Sequence, residues 1–460
     1  MLGAAPREGT GQGAGGGAGP ADGFRAPAGP PHRGPGAARV RAPAGGMKMG
    51  NGRDSTVRPR DGHAVGRTGR GGGTPRLVGV DAARGLALIG LIAVHILPEE
   101  NDATGDPTWS YLLFAGDSAA LFALLAGVGL ALSTGRTRPH RGRQLVADRV
   151  GLAVRAVLIA CVGLLIGYTM TEDASANGIL VFYGMFFLLA IPFLSLGPRS
   201  LFAAAGVFAV TAPLLILGLQ DSLPDYSSSN PTFQHLLTEP TAVLAQLLLS
   251  GAYPALAYMT YILAGMGIGR LDLRATEVQA RLAAVGAGLA IAAQFTSWVL
   301  LYAAGGFQRL VGSSPELDEE AVMRALIFEP DVDRLGTPWW LAVTTPHMNT
   351  PLSIAWSLGV GMTVLGVFLL ASRRLQAWLR PLAAMGAMTL TLYSAHLVVL
   401  SFELHEDEPY LWFLVHVVAA ALFALVWQAL VGQGPLEKVV GTAVRAARRA
   451  VLRGSPARRT

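Results

Sequence analysis

The sequence predicts an all-α membrane protein: a polytopic bundle of about ten transmembrane helices with both termini in the cytoplasm. Three observations carry this. Of the 460 residues, 52% are hydrophobic and 14% charged, whereas a soluble chain of this size carries about a quarter charged residues. The mean hydropathy is +0.43. The apolar residues gather into runs of about 20, the length a helix needs to cross the hydrocarbon core, rather than alternating.

Residues 1–75 precede the first run and are Gly, Pro, Ala and Arg with almost no large hydrophobes. Such a segment buries too little apolar surface to offset its ordering entropy, so it reads as a disordered cytoplasmic tail. No apolar stretch follows its early charges, so no signal peptide is expected, and Met47 and Met49 are alternative starts.

The apolar runs fall at 78–98, 109–133, 150–171, 179–197, 199–219, 250–269, 282–304, 352–371, 380–403 and 409–431. Residues 241–249 either extend the sixth span or lie at the interface. The connections alternate in character. GRTRPHRGR (135–143), GPRS (197–200), RLDLRA (270–275), Arg373, Arg374 and Arg380 are basic, as is the segment 434–460. EENDATGD (99–106), TEDASANG (171–178), the 220–240 and 305–348 loops and ELHEDE (403–408) are acidic or neutral. Positive loops stay inside, which places the acidic loops outside and makes 76–433 the membrane domain, with 434–460 a basic cytoplasmic tail. The formal charge of +6 follows from these loops, so no nucleic-acid partner is expected. The single cysteine, Cys161, excludes an intramolecular disulfide and reads as a buried structural thiol; no metal site is expected.

The first run, VGVDAARGLALIGLIAVHILP, carries Asp81, Arg84 and His95. Arg84 and His95 are close to three turns apart, which puts them on one side of the helix, roughly 16 Å apart along its axis. Arg84 reads either as an interfacial cation paired with Asp81 or as a ligand for a phosphate-bearing donor. His95 lies deep in the run and reads either as a structural donor to a carbonyl or as a general base. Asp117, in the second run, is expected at the same depth, where it either orients that imidazole or makes a lone helix–helix hydrogen bond. His396 has Tyr393, Thr391 and Ser394 as company and is a second candidate. His416 reads as packing, and His347 with Asn349 as a solvated outer loop, a vestibule being the alternative.

No Walker-type loop, dinucleotide fingerprint, HExxH or GxSxG is present. The glycines of GMGIG (265–269) and GVGMTVLG (359–366) are expected at close helix contacts.

The first span, D-x-x-R-G-x-A-x(7)-H, resembles the opening helix of the membrane-bound acyltransferase type 3 family. The wider pattern more closely resembles bacterial relatives of the lysosomal heparan-α-glucosaminide N-acetyltransferase and the DUF418 family. The matching residues are Val80, Asp81, Arg84 and Gly85, then Asp117, Phe122 and Gly127, then Tyr393 and His396, and finally GPLEKVV (434–440). The lysosomal enzyme carries its catalytic histidine in the loop after the first span, where this chain has Asp106.

The resemblance implies a multi-pass acyltransferase of the cell membrane. An acyl-CoA, acetyl-CoA above all, would be co-substrate, with no permanently bound cofactor, and the acyl group would pass to a hydroxyl or amine of an envelope sugar or a small-molecule acceptor. His95, Asp117 and His396 would form the catalytic set, and Arg84 with Asp81 the donor site. The lipid bilayer is a partner by construction of the spans, and a homodimer stays open. The alternative is a proton-coupled transporter or exporter of a small metabolite or lipid-linked sugar, with the same residues as a relay; a third is a non-catalytic scaffold.

Overall fold

The computed structural model describes residues 77–170, 176–315, 317–328 and 337–453. The tail expected over 1–75 lies outside them, as do 454–460 and part of the 171–178 loop. Among the described residues every regular element is helical, and β pairing is limited to one isolated bridge, Glu100 with Pro107.

The first run forms α1 (Val78–Ile96). The second divides into α2 (Trp109–Phe114), capped by the Thr108 hydroxyl accepting from the Tyr111 amide, and α3 (Asp117–Ser133). The break falls at Gly116, whose φ of +69° is open to a residue without Cβ. α4 (Gly142–Ile166) starts well before its apolar run, and α5 (Leu180–Ala190) is short. α6 (Pro198–Leu219), the short α7 (Phe233–Thr238) and α8 (Pro240–Ala245) lead to α9 (Ala255–Gly269) and α10 (Thr276–Trp298). α11 (Gly306–Val311) and α12 (Glu319–Ala325) occupy the long loop before α13 (Pro351–Ala371). α14 (Arg380–Gly386), α15 (Thr389–Leu400), α16 (Pro409–Leu430) and α17 (Pro435–Arg453) complete the chain. Proline in the first turn starts α6, α8, α13, α14 and α16, where its missing N–H costs no helical bond.

Among the described residues seven helices or helix runs are long and apolar enough to cross a membrane. The number is nine if each bent pair counts once: Pro240–Ser250 with Ala255–Gly269, bent by 51°, and Arg380–Gly386 with Thr389–Leu400, bent by 81°. The remaining run, Leu180–Ser195, is shorter. This is an all-α polytopic membrane protein.

Small residues let the central helices touch. A Cβ on Gly127 of α3 would meet the Ile262 carbonyl of α9, and one on Gly265 of α9 would meet that of Leu124. Gly359 and Gly366 of α13 face Gly286, Ala290 and Ala283 of α10, so both glycine stretches are the close contacts that their sequence suggested. The basic connections converge on one face of the bundle. There the buried Arg270 guanidinium donates to the carbonyls of Ala131, Thr134, Arg136 and Leu194 at 2.7–3.1 Å. These are carbonyls at helix ends, where a cation is favoured.

The segment expected as a tail folds over 435–453 into α17, which packs along α4. Asp148 of α4, fully buried at its side chain, pairs with Arg448 at 2.6 Å and with His140 at 2.7 Å. Arg143 donates twice to the Val451 carbonyl at 2.7–2.8 Å. At the other end of α17, Glu437 accepts from the Thr391 amide and hydroxyl, at 3.1 and 2.6 Å, and so caps the start of α15.

Candidate functional site

α1 supplies the polar residues of the site at its two ends. Near the start of α1, Arg84 donates to Asp81 at 3.3 Å and to the Leu125 carbonyl of α3 at 3.0 Å. Both readings of Arg84 meet in this geometry. It is paired with Asp81, and it also lines a cavity of about 550 Å³, a volume within the range of small-molecule sites. Asp81 lines the same cavity.

Two more arginines line it, Arg136 and Arg155. Arg155 of α4 lies over the Phe187 ring, 5.4 Å from its centroid, a cation–π contact that leaves its N–H donors available. In the sequence Arg155 falls only five residues into its apolar run, which begins at 150, and there it looks like an interfacial arginine. With the helix starting at Gly142, Arg155 stands about 20 Å along it, near mid-membrane depth. A charge at that depth is a functional signal by default. α17 closes the cavity with Glu437, Val440, Gly441 and Val444.

At the far end, Leu91, Ile179 and Tyr393 form the last layer of this cavity. The Tyr393 hydroxyl accepts from the Ile179 amide at 3.3 Å, which fixes its ring. Beyond that layer stand His95 and His396, 5% and 4% exposed. His95 Nδ1 lies 3.2 Å from His396 Nε2, with the rings stacked 5.4 Å apart and 7° from parallel. Tyr393 is 6.1 Å from His95 by ring centroids.

On its other side His95 lines a small cavity of about 90 Å³ with Ser110, Tyr111, Asn177 and His347. Asn177 and His347 also line a polar cavity of about 380 Å³ with Gln220, Asp221, Gln246 and Asn349. His347 and Asn349, expected in a solvated loop, are therefore vestibule residues. Both hold left-handed backbone, φ +62° and +51°, a cost that surrounding structure must offset. The histidine pair thus stands between an arginine-lined cavity and a polar vestibule.

Asp117 and His95 have different partners. Asp117 opens α3, where the helix N-terminus favours a carboxylate, and accepts from Trp356 Nε1 of α13 at 3.2 Å. Ser357 and His347 lie close to it. The hydrogen-bond partner of His95 is His396, not Asp117.

Residues 76–301 match the family model described as heparan-alpha-glucosaminide N-acetyltransferase, catalytic. No curated protein matches the chain. The matched segment covers just under half of the 460 residues and holds Arg84, His95, Asp117 and Arg155. It bears out the resemblance read from the wider pattern: residues 76–301 are heparan-alpha-glucosaminide N-acetyltransferase-like, which supports a membrane acetyltransferase type of function.

Proposed function

We propose that this heparan-alpha-glucosaminide N-acetyltransferase-like protein moves an acetyl group from acetyl-CoA to a hydroxyl or amine of an envelope sugar. The observation that carries this is the buried His95–His396 pair standing between the arginine-lined cavity and the polar vestibule. Arg84, Arg155 and Arg136 offer the donor phosphates fork-shaped N–H groups. The basic face of the bundle, which holds the mouth of that cavity, is assigned to the cytoplasm, where acyl-CoA is present. The acceptor enters through the vestibule, whose Asp221, Asn349, Gln220 and Asn177 match the hydroxyls of a sugar.

In the reaction His95 takes the proton of the acceptor O–H or N–H as that atom bonds to the acyl carbon. The C–S bond breaks, and the CoA thiolate leaves into the arginine cavity. Leu91, Ile179 and Tyr393 separate the two spaces, so transfer requires that layer to part. The 81° bend between α14 and α15 supplies a hinge for the helix that carries Tyr393 and His396.

The test is purified protein with labelled acetyl-CoA and an amino-sugar acceptor. Label on the sugar and release of CoA are expected, with His95→Ala inserted in the membrane but inactive. Normal transfer by that variant would sink the assignment. Cavities on both sides of a histidine pair also suit proton-coupled transport; substrate uptake by vesicles without acetyl-CoA would favour that reading instead.

A further inference from the structure

α17 has two faces, and packing accounts for one of them. Val440, Gly441 and Val444 line the large cavity, and Arg448 is held by Asp148. The other face carries Lys438, Arg445, Arg449 and Arg453, all exposed. Their spacing of seven, four and four residues sets them within about 80° of one another, in a stripe roughly 22 Å long. Among the described residues none of the four pairs with a carboxylate. Arg445 donates to the Thr442 hydroxyl of the same face at 2.9 Å, and Glu437, the acid of this helix, is bound to Thr391 instead. Like charges one turn apart, Arg445 with Arg449 and Arg449 with Arg453, weaken the helix that carries them. An anionic surface along the stripe turns that cost into attraction.

The neighbours of the stripe identify that surface. Pro435 opens α17 five residues after Leu430 closes α16, one of the helices long and apolar enough to span. At the join Leu430 and Val431 are exposed, and Val439 and Leu452, on the two flanks of the stripe, are exposed as well. Arg143 ties the end of α17 to the 135–143 connection through the Val451 carbonyl. That connection adds Arg138 and Arg141, both exposed. Cations edged by apolar side chains, beside the point where a span ends, match a headgroup layer with acyl chains beneath it. A soluble acidic partner would answer the cations alone. We infer that the exposed face of α17 binds the anionic phospholipid headgroups of the leaflet in which α16 ends, and that this contact seats the wall of the large cavity. Each cation brought to such a surface favours attachment by about fivefold.

Full-length protein in nanodiscs of phosphatidylcholine, with and without phosphatidylglycerol, tests this. A polarity-sensitive fluorophore on Ala446→Cys, with Cys161→Ser removing the native thiol, sits on the exposed face. Its emission is expected to shift to the blue when phosphatidylglycerol is present. Salt at about 1 M, where the Debye length is about 3 Å, should reverse the shift. Lys438→Gln, Arg445→Gln, Arg449→Gln and Arg453→Gln together should abolish it. Arg445→Lys, Arg449→Lys and Arg453→Lys together should keep it, since a headgroup layer answers charge. Hydrogen exchange over 438–453 should slow with phosphatidylglycerol in the wild type and not in the glutamine variant. An emission indifferent to phosphatidylglycerol, or a shift that the glutamine variant retains, overturns the inference. So does binding of poly-glutamate without any response to the lipid, which gives the stripe to an acidic protein. If the glutamine variant fails to fold, the salt reversal in the labelled protein decides alone. None of these readouts uses turnover, so they stand whether or not the protein transfers an acetyl group.

Discussion

The Arg84 guanidinium is shared between two helices: it holds Asp81 on its own α1 and the Leu125 carbonyl on α3, and between these contacts it faces the large cavity. Its planar fork permits this; the single ammonium of lysine does not. Arg84→Lys should therefore retain the fold but raise KM for acetyl-CoA about tenfold, the loss of one charge-assisted hydrogen bond. Steady-state kinetics in detergent would show it, and an unchanged KM would remove Arg84 from the donor site.

Arg155 makes a sharper case, because its guanidinium lies over the Phe187 ring and faces the large cavity. Arg155→Ala should weaken acetyl-CoA binding by about tenfold or more while the melting temperature stays level or rises. A structural arginine would show the opposite pattern, a lower melting temperature with unaltered binding.

The contact of α1 with α14 depends on two glycines. A Cβ on Gly85 would run into the Leu382 carbonyl, and one on Gly386 into that of Asp81. Backbone cannot give way as a flexible side chain can, so Gly85→Ala or Gly386→Ala should cost about 1–3 kcal/mol, read as earlier thermal unfolding.

These features differ in how far the sequence disclosed them. The spans were legible because a bilayer demands uninterrupted apolar length, and each apolar run contains a helix. The 81° break between α14 and α15 was not, because hydropathy runs on through Ala387 and Met388. His95 and His396 each stood out as polar residues in apolar runs, yet their contact joins positions 301 apart, and no single-sequence periodicity reaches that far. Arg155 was hidden by the polar opening turns of α4, which masked where the helix begins. α17 was read as a tail because its many arginines hid an apolar stripe, Val440 and Val444, that packs on the bundle.

At the opposite face from Arg270, Arg324 of α12 pairs with Glu100 at 2.7 Å and ties the 305–348 loop to the end of α1. The Arg324 guanidinium, by hydrogen bond and charge, holds the Glu100 carboxyl below its usual value of 4.5. A depressed folded pKa means that the tether's contribution is complete above that usual value and is lost as pH falls through the lower, folded one. Hydrogen exchange in 317–328 should thus quicken as pH falls below the usual carboxyl range and quicken at neutral pH in Glu100→Gln. Equal exchange in that variant and the wild type would show that the tether holds nothing.

Asp148 is a carboxylate buried against α17, with Arg448 and His140 as its partners. Arg448→Ala leaves that carboxylate short of a cation and should lower stability by about 1–3 kcal/mol. Arg448→Ala with Asp148→Asn should recover part of the loss, as measured by thermal unfolding.

The wall that α17 contributes has a consequence for how the protein is made. Among the described residues the large cavity is lined by the first helix in chain order, α1, and by the last, α17, from Leu77 to Val444. A nascent chain can insert all its spans and still lack a closed donor chamber. The proposed acyl transfer therefore waits for α17, and chains stopped short of residue 434 lack this wall of the cavity.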